Sequence, residues 1–270
     1  EMFGLDTEIQ KFGYLHYQVL SSSCEVTTPS QLEFVSLPMQ YSSNGEAQGQ
    51  AVYVEQGTEE DFSKVKDKVS LAGKVLLTSS QMPFAGAYEL AQKNDAAAVV
   101  MISSAPKNLI RAATATSNRK KGKIPGVIIS AQSGEEILNL MKKNKVEMKV
   151  SSEGIYTWKE SSNIIAEIPG TGEGKENVVV CSHYDSQIKG CHAWDNTSGT
   201  VGLLELARSF VGFKPLRTIK FIFFGVEEVG ICWGSHSYVD DNEEEANSCV
   251  AVINFDGFSS SLCEFNLIET

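Results

Sequence analysis

Six cysteines, Cys24, Cys181, Cys191, Cys232, Cys249 and Cys263, include no pair spaced C-x-x-C. That absence speaks against a structural zinc knuckle and against a thioredoxin-type redox motif. Positive charge is also scarce: 23 Lys and Arg stand against 34 Asp and Glu, a formal net charge of −11. Neutralising nucleic-acid phosphates takes a basic face, so a nucleic-acid partner is excluded. The one basic run, Arg119-Lys120-Lys121-Gly122-Lys123, reads as a solvated loop. No apolar stretch reaches the ~18–20 residues that cross a bilayer, and no transmembrane segment is expected. No signal-peptide pattern opens the chain, although a chain that starts at Glu1 rather than Met leaves a removed leader open. Repeats and low-complexity tracts are missing too.

What is present is ordinary globular composition, 42% hydrophobic and 21% charged over 270 residues, comfortable for two domains. Residues 34–152 read as one unit. Strands are expected at Ala51–Val54, Gly73–Leu77, Ala97–Ile102 and Gly126–Ile129, with helices at Ala85–Lys93 and Ala131–Lys143, the second opened by cap-type residues. This unit holds no histidine, and no chemistry is expected of it. Residues 1–33 form an N-terminal segment leading into it. A break is expected at Ser151-Ser152-Glu153-Gly154, and residues 153–270 follow as a second domain. There a strand ends at Pro169-Gly170, Gly172-Glu173-Gly174-Lys175 reads as a hairpin loop, and a βαβ pattern begins. The helix after Thr197-Ser198 carries Val201, Leu203, Leu204, Leu206, Ala207 and Phe210, an apolar stripe suited to a sheet.

Chemistry-bearing side chains cluster where apolar runs stop. Val178–Cys181 leads to His183 and Asp185, Ile219–Phe224 to Glu227 and Glu228, and Val250–Phe255 to Asp256. Open α/β sheets bind ligands at such carboxyl ends of strands. In His183-Tyr184-Asp185 the period of two puts both polar side chains on one face, so the imidazole can bind a metal while the carboxylate orients it or the catalytic acid from behind. Asp195 stands just before a helix start, where it can face the helix dipole or bridge two cations. Neighbouring glutamates reach one site only if the chain turns there, and Val229-Gly230 supplies the freedom to do so. One glutamate can then ligate the metal while the other takes a proton from the attacking water. Asp256, after a mostly apolar strand, is costly to bury unless paired or metal-bound.

Taken in order, Val180-Cys181-Ser182-His183-Tyr184-Asp185-Ser186, Asp195-Asn196-Thr197-Ser198-Gly199, Gly225-Val226-Glu227-Glu228-Val229-Gly230 and Ile253-Asn254-Phe255-Asp256 resemble the co-catalytic zinc exopeptidases of the bacterial leucyl aminopeptidase, aminopeptidase Y and glutamate carboxypeptidase type. Residues 34–150 are similar to the protease-associated domain inserted in many of them. The resemblance implies an α/β fold, a mixed, mostly parallel sheet flanked by helices, with an inserted α+β domain. It implies His183 and Asp256 on one zinc, Asp195 bridging two, Glu228 on the second, Glu227 as general base and Asp185 supporting His183. A further His ligand of the family is expected beyond Thr270, so the chain is expected to be part of a longer protein, with two zincs in the intact enzyme and one or partial occupancy here. His192 and His236 are poor substitutes.

The activity so implied is aminopeptidase cleavage of peptides or aminoacyl compounds. A carboxypeptidase or dipeptidase of the glutamate carboxypeptidase type is the runner-up, and a silent binding homologue or a zinc-dependent acyltransferase or cyclase are the other readings. The resemblance places the protein as secreted, cell-surface, vacuolar or periplasmic. Asn196-Thr197-Ser198 matches a glycosylation sequon and is read as unmodified, since a glycan there would block the site. Free thiols are expected at Cys191 and Cys232 rather than a bridge.

Overall fold

The computed structural model describes residues 4–79, 85–117, 119–186, 192–228 and 232–257. In chain order the strands are β1 (Thr7–Thr28), β2 (Leu32–Phe34), β3 (Ser36–Pro38), β4 (Gly45–Tyr53), β5 (Val75–Thr78), β6 (Ala98–Ile102), β7 (Gly126–Ile129), β8 (Glu147–Ile168), β9 (Asn177–His183), β10 (Thr218–Phe224) and β11 (Cys249–Asn254). The helices are α1 (Glu59–Lys66), α2 (Ala85–Lys93), α3 (Ala131–Met141), α4 (Gly199–Ser209), α5 (Trp233–Asp241) and α6 (Glu243–Asn247). Two compact units result, one of His16–Thr157 and one of the residues up to Leu15 with those from Trp158 onward.

The expected break at Ser151-Ser152-Glu153-Gly154 is not a turn: the stretch lies inside strand β8, a little ahead of the point between Thr157 and Trp158 where the two units divide. Its small residues serve packing rather than turning: Ser151 Oγ and Ser152 Oγ bond Ser23 and Ser42, and a Cβ on Gly154 would stand 2.2 Å from the Tyr17 ring. Small polar residues in sequence mimic a turn when they make room for an aromatic neighbour.

In the unit of His16–Thr157, β4, β5, β6 and β7 pair in parallel in that order, with β3 antiparallel on β7 and β8 antiparallel on β4. Strands β5, β6 and β7 are buried at every position, which explains their unbroken apolar sequences. The pleat sends Val75, Leu77, Val100, Val127 and Ile129 to the face where Ile137 of α3 packs. Leu76, Val99, Met101 and Ile128 go to the other, with Phe62 of α1 and Tyr88 and Ala91 of α2. Helix α1 starts in a capping box in which Thr58 and Asp61 satisfy each other's backbone N–H, worth about 1 kcal/mol.

The other unit orders its strands β8, β10, β9, β11, with β10 antiparallel to β8 and parallel to β9, and β11 parallel to β9. Gly172–Lys175 therefore does not close a hairpin, because β10 lies between β8 and β9. The hairpin expectation rested on nearness in sequence, which carries no strand order. The β9–α4–β10 segment is the expected βαβ unit. On α4 only one side of the expected stripe is buried: Leu203 and Ala207 are in the core with Leu206 and Phe210 against it, while Val201 and Leu204 are exposed. Positions 203, 206, 207 and 210 share one helical face, and 201 and 204 lie off it. Among the described residues β11 is an edge strand, with Val250, Val252 and Ile253 exposed.

Candidate metal centre

Parallel β9, β10 and β11 end on one edge, and the register sets how far each reaches. Phe224 pairs with His183, and Asn254 with Cys181, so the segments after β10 and β11 pass the imidazole. His183 is almost fully buried. Its Nδ1–H donates to the Asp185 carbonyl at 3.1 Å and lies 3.7 Å from the Asp185 carboxylate. That contact turns Nε2 toward Asp195 Oδ1 at 3.1 Å and Asp256 Oδ1 at 3.3 Å. Ligand atoms of His183, Asp195 and Asp256 all lie within 4.8 Å of one another.

Two carboxylate oxygens converging on one ring nitrogen call for a cation between them. Burial alone pulls the His183 imidazole down, but hydrogen bonds to Asp185 and Asp256 and the charge of Glu227 outweigh it and hold the group up at about 11. Asp195 Oδ1 is buried and accepts no hydrogen bond, its short contact with His183 lacking the geometry of one. A buried carboxylate oxygen with no donor costs free energy unless a cation satisfies it. Imidazole nitrogen and carboxylate oxygen are donor types that zinc takes, and the three residues fit a divalent ion.

The segment after β10 turns sharply at Val226, whose φ of +60° is left-handed. For a β-branched residue that conformation is costly, about 1–3 kcal/mol. The turn is secured by Asp185, whose two carboxylate oxygens accept Glu227 N–H and Glu228 N–H at 3.0 Å each. The turn needed to aim neighbouring glutamates thus occurs one residue ahead of the pair, while Val229-Gly230 lies outside the described residues. Burial raises the Asp185 carboxyl, but His183 and these two amides overcome it and leave the group below its ordinary value.

Glu227 shares a cavity of about 400 Å³ with His183 and Asp256. Burial raises its carboxyl, only partly countered by His183 and by the Cys232 thiol, which donates to Oε1 at 3.4 Å. Cys232 is a free thiol, pushed up to about 12 by burial and by Glu227. Its expected neighbour Cys191 lies outside the described residues. Glu228 is not a member of the three-ligand group, and neither are His192 and His236. Asp256 is half-exposed, so the cost of burial expected for it does not arise. The register of β11 on β9 brings it to the site.

Asn196 does work that the sequence did not reveal. It is 1% exposed; its Nδ2 donates to Ser182 Oγ and Phe255 O, and its Oδ1 accepts Gly199 N–H and Gly257 N–H. One side chain thereby ties Asp195, its chain neighbour, to the residues on either side of Asp256. The signal was its place inside the Asp195–Gly199 motif, read there only as a sequon. A committed, buried amide leaves no room for a glycan. Gly199 is required beside it, since a Cβ would meet Asn196 Oδ1 at 2.2 Å and Phe255 O at 2.4 Å.

Residues 163–267 match the model of peptidase family M28, and residues 35–137 match that of the PA domain. The chain is 28% identical over 172 residues to leucine aminopeptidase 2 of Trichophyton equinum, covering 63% of this chain and 34% of that protein. It is 33% identical over 193 residues to aminopeptidase YwaD of Bacillus subtilis, covering 70% and 39%. Among solved structures, the aminopeptidase from Aneurinibacillus sp. strain AM-1 superposes with a TM-score of 0.73 at 26% identity, over 96% of this chain and 62% of that one. BSAP, a zinc aminopeptidase from Bacillus subtilis, gives 0.65 at 25%, over 96% and 61%. The chain spans between a third and two fifths of the length of these two curated relatives. The four motifs lie within the peptidase family M28 match, and the segment similar to a protease-associated domain overlaps the PA-domain match; the mixed α/β fold is the one those structures share.

Proposed function

We propose that this chain, carrying an M28 peptidase segment and a PA domain, belongs to a zinc-dependent aminopeptidase that removes N-terminal residues from peptides. The observation that carries this reading is the convergence of His183, Asp195 and Asp256 beside Glu227, together with relatives that are themselves aminopeptidases. In this reading residues 153–270 do the chemistry and residues 34–152 are an inserted domain.

His183, Asp195 and Asp256 would hold one zinc, with Asp195 bridging to a second and Glu228 ligating it in the whole protein. Zinc supplies Lewis acidity that makes water a nucleophile near neutral pH and polarises the scissile carbonyl. Glu227, its carboxyl raised by burial, takes the proton of the attacking water and passes it to the leaving amine. Asp185 holds the turn that aims Glu227 and supports the rim of His183, and Asn196 keeps Asp195 and Asp256 in reach of one another. With three convergent ligands, the 270-residue chain is expected to take up one zinc. We further assign the protein a secreted, cell-surface, vacuolar or periplasmic location on the PA-domain resemblance, which fractionation of the source cells tests. No helix of the described residues is long and apolar enough to cross a membrane.

Incubating the full-length protein with aminoacyl anilides and with N-blocked peptides, with and without zinc, tests the activity. Zinc-dependent cleavage of the unblocked set alone is expected. Release of C-terminal residues from blocked peptides would replace the reading with a carboxypeptidase, and cleavage of neither set would leave a binding homologue.

A further inference from the structure

The glutamate-bearing loop leaves β10 at Gly225 and re-enters the core at Gly234 on α5, and both ends meet at one side chain. Asn163 of β8 is fully buried, at 0% exposure. Its Oδ1 accepts Gly225 N–H at 3.1 Å, and its Nδ2 donates to Gly234 O at 2.8 Å. The second Nδ2 hydrogen goes to Gln10 Oε1 at 2.8 Å, so the amide donates through both its hydrogens and accepts one bond. Both glycines are needed for the ends to close on it. A Cβ on Gly234 would stand 2.4 Å from Asn163 Oδ1 and from Gly225 O, and one on Gly225 would stand 2.7 Å from Ser162 O.

We propose that Asn163 is a positioning residue that ties Gly225 to Gly234 and thereby helps fix where Glu227 stands; the catalytic half of this statement rests on the reading of Glu227 as general base. Asp185 holds the loop at the glutamate amides and Asn163 holds it at its base, from a strand that carries none of the metal-site residues. Trp233 N–H also donates to Val226 O at 3.0 Å, and Asn163 adds the side-chain tie one residue further out on each strand of the neck, from Gly225 to Gly234. Misplacing a catalytic group by about 1 Å costs on the order of a hundredfold in rate.

The test uses full-length zinc-loaded protein with Asn163→Ala, Asn163→Asp, Gly234→Ala and, as a control on the outer end of the network, Gln10→Ala. For Asn163→Ala and Gly234→Ala we expect kcat to fall about 10- to 100-fold with KM nearly unchanged. Asn163→Asp keeps the acceptor for Gly225 but turns an oxygen on Gly234 O and Gln10 Oε1, both acceptors, so it should recover none of the loss, and Gln10→Ala should keep kcat. Amide hydrogen exchange supplies a readout independent of turnover: the Gly225, Glu227 and Glu228 amides should exchange roughly tenfold faster in Asn163→Ala, while β9 and β10 keep their protection. Exchange that rises equally through β9, β10 and the loop, or a kcat per folded molecule equal to wild type, overturns the proposal. If the wild-type protein cleaves nothing, the function reading fails, and the exchange comparison alone still decides whether Asn163 ties the loop.

Discussion

Replacing Asp185 by Asn changes one atom of the site and leaves its shape. The carboxylate accepts two backbone N–H groups at 3.0 Å, from Glu227 and Glu228. Asparagine offers one carbonyl oxygen, so one amide keeps its partner and the other faces an NH₂ group. A hydrogen bond to a charged acceptor contributes about 1.5–3 kcal/mol, and a buried donor left without an acceptor costs about 1–3 kcal/mol. Asp185 is 24% exposed, so water recovers part of that loss, and about 1.4–2.8 kcal/mol remains, a 10- to 100-fold effect. The imidazole is held by the Asp185 carbonyl at 3.1 Å rather than chiefly by its carboxylate at 3.7 Å, and the substitution leaves that carbonyl in place. Steady-state kinetics on zinc-loaded Asp185→Asn should therefore show kcat down about 10- to 100-fold, with zinc affinity from chelator competition changing less. Loss of zinc affinity with unchanged turnover per zinc-loaded molecule would refute the reasoning, because Asp185 would then act through His183 and not through the glutamate turn.

Asn196→Ala removes two donors and one acceptor that join the ends of β9 and β11, and zinc affinity should drop about 10- to 100-fold in chelator competition. Thr58→Ala breaks the α1 capping box and should cost about 1 kcal/mol in denaturant unfolding of the PA unit while zinc binding stays as it was. Lys220 is buried against Glu245 and Glu167 at 2.6 and 3.5 Å. Burial lowers its ammonium group, but these carboxylates and Tyr238 outweigh it and raise it above its ordinary 10.5. The stability it contributes is thus fully present below pH 10.5 and lost as pH rises through the folded value, and Lys220→Met should flatten that alkaline loss in pH-dependent melts.

Much of the fold was legible because buried parallel strands write themselves as unbroken apolar runs, as in Val75–Leu77 and Ala98–Ile102, and because the metal-site residues follow such runs. Strand order was not legible: nothing in Asn177–His183 says that β10 separates it from β8. Partners distant in sequence were also hidden. Asn163 and Asn196 look like ordinary polar residues until the fold brings Gly225, Gly234, Phe255 and Gly257 to them. In sequence Asp185 reads as a support for His183, yet its shortest side-chain bonds go to amides 42 and 43 residues away. The Ser151–Gly154 stretch misled for the opposite reason, since small residues signal a turn and close packing alike.

Cleavage of a leucyl anilide by zinc-loaded full-length Glu227→Gln, measured beside wild type with zinc content determined on the same samples, tests the central claim most directly. The account predicts kcat lower by about 10²- to 10⁴-fold with zinc content unchanged. Turnover equal to wild type at equal zinc content would contradict it.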